Sequence, residues 1–385
     1  MLREILRTWT KNAAVLDLYL YLRVFLYQMI YMLSRQSISK LWLLDTSVAL
    51  LFSIIFGAVL IIIIISNNAT LLISNNYFST SNFAYGQQQQ PPNQTDSNLN
   101  QTDSNITNSL NIQAIPSKKV HVGDIDIAYK TFGKGDPILL INGYSFAMDN
   151  WNPILLGKIA ANHTVIIFDN RGIGNTTSGD EKRFSIGLFA NDTAGLLEAL
   201  KIKKADVLGW SMGGAVAQEL ALNHPDRVRK LIVYASFCGP LKSVLPSQEV
   251  INALSNGTGT AEDRIGRFLP LLFPEEWRKE NPNYLEGIPK TTETIPNQTL
   301  SQQVESIGNW AGICNKLKNI TQPTLVIVGT DDVATPATAN SLQITEHIPG
   351  AWLVQMKGGG HGLMYQYPEQ FSKIVKIFLE STKTL

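Results

Sequence analysis

Ser211 stands in Gly209-Trp210-Ser211-Met212-Gly213, behind the apolar run Ala205-Asp206-Val207-Leu208 and ahead of Gly214-Ala215-Val216-Ala217-Gln218-Glu219-Leu220. Strand, Gly-x-Ser-x-Gly, helix is the order of a nucleophile elbow, a strained turn that lifts a serine hydroxyl above the end of a sheet. The glycines belong there because a Cβ would strike the neighbouring strand and helix. A serine hydroxyl is a weak nucleophile near neutral pH. It needs a base, and the base needs a third group to orient it. Around such a turn the partners follow in the order acid, then histidine.

Both partners occur downstream in that order. The base is His361, in Gly358-Gly359-Gly360-His361-Gly362 after the apolar stretch Ala351-Trp352-Leu353-Val354-Gln355-Met356. The chain has five histidines, and His121, His163, His224 and His347 fall in strands or at helix ends, where a solvated or capping role suffices. The acid lies in the turn after Thr324-Leu325-Val326-Ile327-Val328, where Asp331 and Asp332 are adjacent and either can serve. Two backbone N–H groups must meet the negative charge that develops on a carbonyl oxygen. Met212, next to the serine, supplies one. Tyr144, in the loop Asn142-Gly143-Tyr144-Ser145 after the strand Pro137–Ile141, supplies the other.

With these motifs, residues 118–385 resemble an α/β-hydrolase. Phe168-Asp169-Asn170-Arg171-Gly172-Ile173-Gly174 is similar to the family's Asp-x-Arg-Gly-x-Gly segment, and Asn142-Gly143 stands where the family usually has His-Gly. The group in view includes haloperoxidase-like esterases, lactonases, carbon–carbon bond hydrolases and proline iminopeptidases. The resemblance implies an α/β fold with a mostly parallel eight-stranded sheet and helices on both faces. Its pattern Gly-x-x-Asp-x-x-x-Pro selects Asp332 over Asp331. It makes Asp169 and Arg171 parts of a structural turn. It also makes residues 237–322, too long for a simple connection, a helical cap over the site. Within the cap, Phe268-Leu269-Pro270-Leu271-Leu272-Phe273 is either an apolar ceiling or the glue to the core. Trp210 and Trp151 either shape the acyl pocket or pack the core. No cofactor and no metal is expected. Related dehalogenases and epoxide hydrolases carry Asp at the nucleophile position, and the serine excludes that branch.

Residues 1–117 have another character. Val48–Ile65 is an uncharged run of 18 residues, at the short end of the ~17–25 that cross a bilayer. Lys and Arg occur at 3, 7, 11, 23, 35 and 40, and not again until Lys118. This asymmetry places the N-terminus inside and the rest outside. The expected order is an N-terminal cytoplasmic or interfacial segment (1–46), a transmembrane helix or signal anchor (47–66) and a disordered Asn/Gln/Ser/Thr-rich tether (67–117). A cleaved signal and a secreted domain is the alternative. The tether carries acceptor sequons at Asn93, Asn100 and Asn105. Cys238 and Cys314 flank the cap and are either paired or free.

The balance of 32 basic and 31 acidic residues, without a basic cluster in the globular part, argues against nucleic acid as a partner. The expectation is a membrane-tethered serine hydrolase outside the cytoplasm, acting on a small ester, lactone or amide. A catalytically silent binding module, or an acyltransferase or perhydrolase using the same triad, is the alternative.

Overall fold

The computed structural model describes residues 110–381, apart from 241–242, 257–260, 291–292 and 294. Eight strands make one sheet: β1 (Lys118–Val122), β2 (Ile125–Gly133), β3 (Asp136–Ile141), β4 (His163–Phe168), β5 (Ala205–Trp210), β6 (Val228–Tyr234), β7 (Thr324–Gly329) and β8 (Trp352–Met356). Their order is β1-β2-β4-β3-β5-β6-β7-β8. β1–β2 and β2–β4 pair antiparallel, and every pair from β4 to β8 is parallel.

The helices are α1 (Pro153–Ala160), α2 (Ile186–Ala199), α3 (Met212–Asn223), α4 (Gln248–Ser255), α5 (Ala261–Leu272), α6 (Glu275–Glu280), α7 (Asn297–Gly308), α8 (Ala337–His347), α9 (Leu363–Gln366) and α10 (Pro368–Glu380). The two-residue period of a strand explains how the sheet is covered. Leu139 and Ile141 of β3, Val207 of β5 and Val233 of β6 face α2, α3 and α8. Ile138, Leu140, Leu208 and Ile232 face α1 and α10 on the other side. Strands buried on both faces need unbroken apolar runs, and these have them. Asn152 starts α1 by accepting from the Ile154 and Leu155 N–H groups ahead of Pro153, and the Ser185 side chain caps α2 by accepting from Leu188 N.

Packed structure begins earlier than residue 118. Residues 110–117, expected to be tether, include a helical turn at Ile112–Ala114. Ile112 is buried in the core, and its carbonyl accepts from Lys130 Nζ at 3.0 Å. One apolar side chain and one buried ammonium in need of acceptors fix a segment whose composition reads as disordered. The expected span 47–66 lies outside the described residues. Among the described residues, no helix is long and apolar enough to cross a membrane.

The cap between β6 and β7 holds α4 to α7. α7 ends at Gly308, and Gly312 lies at φ 81° against Gly239. A side chain at either glycine would collide with the other's backbone. This close pass lies at the stem of the cap. There Cys238 and Cys314 are disulfide-bonded, and the Ile313 and Cys314 N–H groups both donate to the Cys238 carbonyl, at 2.7 and 3.1 Å.

The bond spans 76 residues of chain. Closing a loop of that length in the unfolded state is worth of order 4 kcal/mol by loop entropy, or about 10 °C in Tm for a domain of this size. A Cys238→Ala/Cys314→Ala variant should melt lower by that order in calorimetry. An unchanged Tm would show that the bond does not constrain the unfolded chain.

Candidate active site

The parallel strands end on one edge, and the sequence motifs collect there, as ligand sites do in open α/β sheets. Asn142 follows β3, Ser211 follows β5, Asp332 lies in the turn after β7 and His361 in the loop after β8. Ser211 has φ 57° and ψ −119°, a conformation an L-residue rarely takes. Hydrogen bonds on both sides hold it. Its N–H donates to Tyr234 O (2.9 Å), and its carbonyl accepts from Gly214 N (2.9 Å), Ala215 N (3.3 Å) and Ser236 Oγ (2.8 Å). A Cβ at Gly209 would overlap the Gly213 carbonyl, and one at Gly213 the Ile141 carbonyl.

His361 Nδ1 lies 2.8 Å from Asp332 Oδ2. The Asp332 carboxylate is saturated. Ala334 N and Thr335 N donate to Oδ1, each at 2.9 Å, and Thr335 Oγ1 donates to Oδ2 at 2.8 Å. Asp331 is exposed and accepts from Thr330 Oγ1, so of the two adjacent carboxylates Asp332 is the histidine's partner. With Nδ1 engaged, Nε2 is the imidazole nitrogen left for another partner. The His361 carbonyl accepts from Trp210 Nε1 (3.1 Å) and Tyr234 Oη (2.7 Å). Two core aromatics thereby fix the loop that carries His361. Burial raises the Tyr234 phenol well above its ordinary range, so it stays a donor.

A side chain at Gly143 would come within 3.1 Å of Ser211 Cβ, so the Gly143–Tyr144 backbone runs beside the serine. Met212 opens α3, and the N–H of a helix's first residue has no intrahelical partner. Asn142, in place of a histidine, braces this loop through Nδ2 to Ala147 O at 2.8 Å, and its own carbonyl accepts from Asn170 Nδ2 at 3.2 Å.

Ser211 and His361 line a cavity of about 370 Å³. Phe146, Trp210, Phe237, Phe268, Leu271, Leu272, Val304 and Ile307 supply apolar walls, and no Asp, Glu, Lys or Arg is among its described lining residues. The apolar cap segment does both things weighed for it. Phe268 and Leu271 form ceiling. Leu272 lines the cavity too, and its carbonyl receives the Gly362 N–H at 2.7 Å. Phe273 packs on Trp277, Tyr284 and Tyr365. Trp210 lines the cavity, but Trp151 does not. It is fully buried behind Trp210, ring centroids 6.3 Å apart, and its role is packing. Thr335 and Tyr234 are not legible in the sequence as site residues. The spacing Asp332-x-x-Thr335 is the one available signal, since a turn-forming aspartate accepts from N–H groups two and three residues on.

Asp169 and Arg171 do not pair with each other. Arg171 forks onto Asp192 and Asp124. Asp169 accepts from Met148 N at 2.7 Å. Burial pushes its carboxyl up to about 7, helped by Glu293 and Asp149 and opposed by the Met148 and Asn175 N–H groups. The unfolded chain titrates this group near 3.8. Stability from the protonated form is therefore full below that value and is lost as pH rises to about 7. The whole difference is about 4 kcal/mol. Asp169→Asn keeps an acceptor for Met148 and removes the titration. Its urea-unfolding free energy relative to wild type should rise between pH 5 and 7; a pH-independent difference would refute the buried-acid reading.

A profile of the alpha/beta hydrolase fold family matches residues 136–368. The chain is 30% identical over 260 residues to a protein of Azorhizobium caulinodans named "Putative carbamate hydrolase RutD", covering 66% of this chain and 95% of that one. Among solved structures, the enol-lactonase from Burkholderia xenovorans superposes with a TM-score of 0.61 at 24% identity, covering 69% of this chain and 100% of that one. An alpha/beta hydrolase fold protein from Chitinophaga pinensis does so with a TM-score of 0.59 at 26% identity, covering 70% and 98%. The sheet order, the strained serine turn and the family match agree: this chain belongs to the α/β-hydrolase fold family.

Proposed function

We propose that the protein is a serine hydrolase for an uncharged, largely apolar ester, lactone or amide. The carrying observation is the buried Asp332–His361 pair, which opens with Ser211 onto a neutral apolar cavity. Ser211 Oγ attacks the carbonyl carbon while its proton passes to His361 Nε2. The Tyr144 and Met212 N–H groups receive the oxyanion, an effect worth about 10²–10³ in rate for one donor. The tetrahedral species collapses, the carbon–heteroatom bond breaks, and His361 returns the proton to the leaving group. Water attacks the acyl-enzyme, His361 takes its proton, and release of the acid regenerates Ser211. Asp332 holds the imidazole tautomer throughout. An aminopeptidase needs a carboxylate for the substrate's ammonium, and a carboxylate substrate needs a cation. The described lining supplies neither, and an unpaired charge there would be costly to desolvate. The hydrolase name of the Azorhizobium relative accords with this reading.

The test is labelling of the folded protein with a fluorophosphonate, followed by a panel of neutral and charged p-nitrophenyl esters. Label should sit on Ser211 and vanish in Ser211→Ala. Neutral acyl chains should exceed charged ones of equal length in kcat/KM. Asp332→Asn should lose about 10⁴ in kcat, as when a triad acid no longer sets the tautomer, and Asp331→Asn should stay near wild type. An unlabelled wild type would point to a silent binding module. Products formed on added alcohol or peroxide in preference to water would point to acyl transfer or perhydrolysis.

The second part of the proposal is that the domain works outside the cytoplasm, tethered by residues 47–66. Support comes from the asymmetry of Lys and Arg about that run and from the Cys238–Cys314 bond, since disulfides persist in oxidising compartments. Protease added to intact cells should release the hydrolase domain. Full protection would place it inside.

A further inference from the structure

Helix α7 carries two stripes. Val304 and Ile307 line the cavity. Thr299, Gln302, Gln303 and Ser306, at the i, i+3, i+4, i+7 spacing of a single helical face, are buried against the core. A polar stripe buried this fully must meet its hydrogen bonds there. Thr299 Oγ1 donates to Gly172 O at 3.0 Å, and Gln302 Nε2 donates to Lys182 O at 3.1 Å. Gln303 is fully buried and does something else. Its Oε1 accepts the N–H of Ser145 at 3.0 Å, in the loop that presents the Tyr144 N–H. Among the described residues its Nε2 has no hydrogen-bond partner, so the contact with Ser145 is the one its side-chain amide makes there. Burying an unmatched amide N–H costs about 1–3 kcal/mol, which an apolar residue at this position would avoid.

Ser145 also needs holding. It has φ 62°, a left-handed conformation that a non-glycine residue adopts at a cost. The Ser145 N–H belongs to the peptide that follows Tyr144, so fixing it fixes the turn from which the Tyr144 N–H is aimed. Resting on the serine-hydrolase reading, we infer that Gln303 is a positioning residue. It makes oxyanion-hole geometry depend on the seating of the cap helix whose neighbouring residues meet the substrate.

The test is Gln303→Met, similar in volume but lacking the acceptor. On a neutral ester, kcat per titrated site should fall about tenfold or more, with KM within about twofold, because the loss is confined to the oxyanion. Phenylboronic acid, which places a B–O⁻ in the same site on bonding to Ser211, should lose affinity by a similar factor. An unreactive ether analogue of the ester should bind as before. If the Gln303→Met change prevents folding, Gln303→Asn, one methylene shorter, carries the same expectations. Wild-type kcat and boronate affinity in a folded variant would overturn the inference alone. A wild type that neither labels nor hydrolyses any ester would instead overturn the serine-hydrolase reading on which it rests. Equal losses for boronate and ether would make Gln303 a packing residue and also overturn the inference.

Discussion

Ser211 is held in a backbone conformation it would not choose, and much of the site follows from what that requires. At φ 57° and ψ −119° the serine leaves β5 and enters α3 with no residue between them. Such strain persists when the surroundings over-determine it. Here β6 and the residues just after it supply that from both sides, since Tyr234 O takes the Ser211 N–H and Ser236 Oγ binds the Ser211 carbonyl. The turn also forces β3, β5 and α3 close enough that Gly209 and Gly213 admit no side chain. The same approach brings the Gly143 backbone against Ser211. Tight packing around one strained residue therefore places the serine hydroxyl beside the Gly143–Tyr144 backbone.

The imidazole is positioned by different means. His361 sits in a glycine-rich loop that has little stiffness of its own. Its stiffness comes from polar groups of the core. Trp210 and Tyr234, register partners on the neighbouring strands β5 and β6, both donate to its carbonyl. Asp332, saturated by Thr335 and two backbone N–H groups, fixes the ring from the other side. Trp210 follows the elbow glycine, lines the cavity and holds the histidine loop, so its aromatic surface and its N–H serve separate purposes.

The cap joins the core through contacts of several kinds. The disulfide and the Gly239–Gly312 pass close its stem. Leu272 and Phe273 fasten α5 beside the histidine loop through apolar packing and the bond to Gly362 N. Helix α7 is fastened by polar groups, so it is sensitive to geometry in a way that apolar contacts are not. The cavity walls Phe268, Leu271, Val304 and Ile307 thus stand on elements that also touch the His361 and Asn142–Ser145 loops.

The sequence alone determined the local features: the elbow at Ser211, the histidine loop, the pair of candidate acids, the buried strands and the long insertion after β6. Each is written in short-range chemistry, through glycines beside a serine, unbroken apolar runs, and turns after strands. What only the tertiary structure decided depends on groups far apart in the chain. Asp331 and Asp332 have the same residue type and adjoining places, and His361 reaches one of them because the β7 turn buries it. Trp151 and Trp210 look alike in sequence, but Trp210 faces the cavity and Trp151 stands behind it. Ile112 sits in a segment of disordered composition, and a core hollow orders it. Cys238 and Cys314 pair because the two ends of the cap meet at Gly239 and Gly312. Gln303 carries no motif, since its partner Ser145 lies 158 residues away, and only the docking of α7 brings the amide to the Asn142–Ser145 loop.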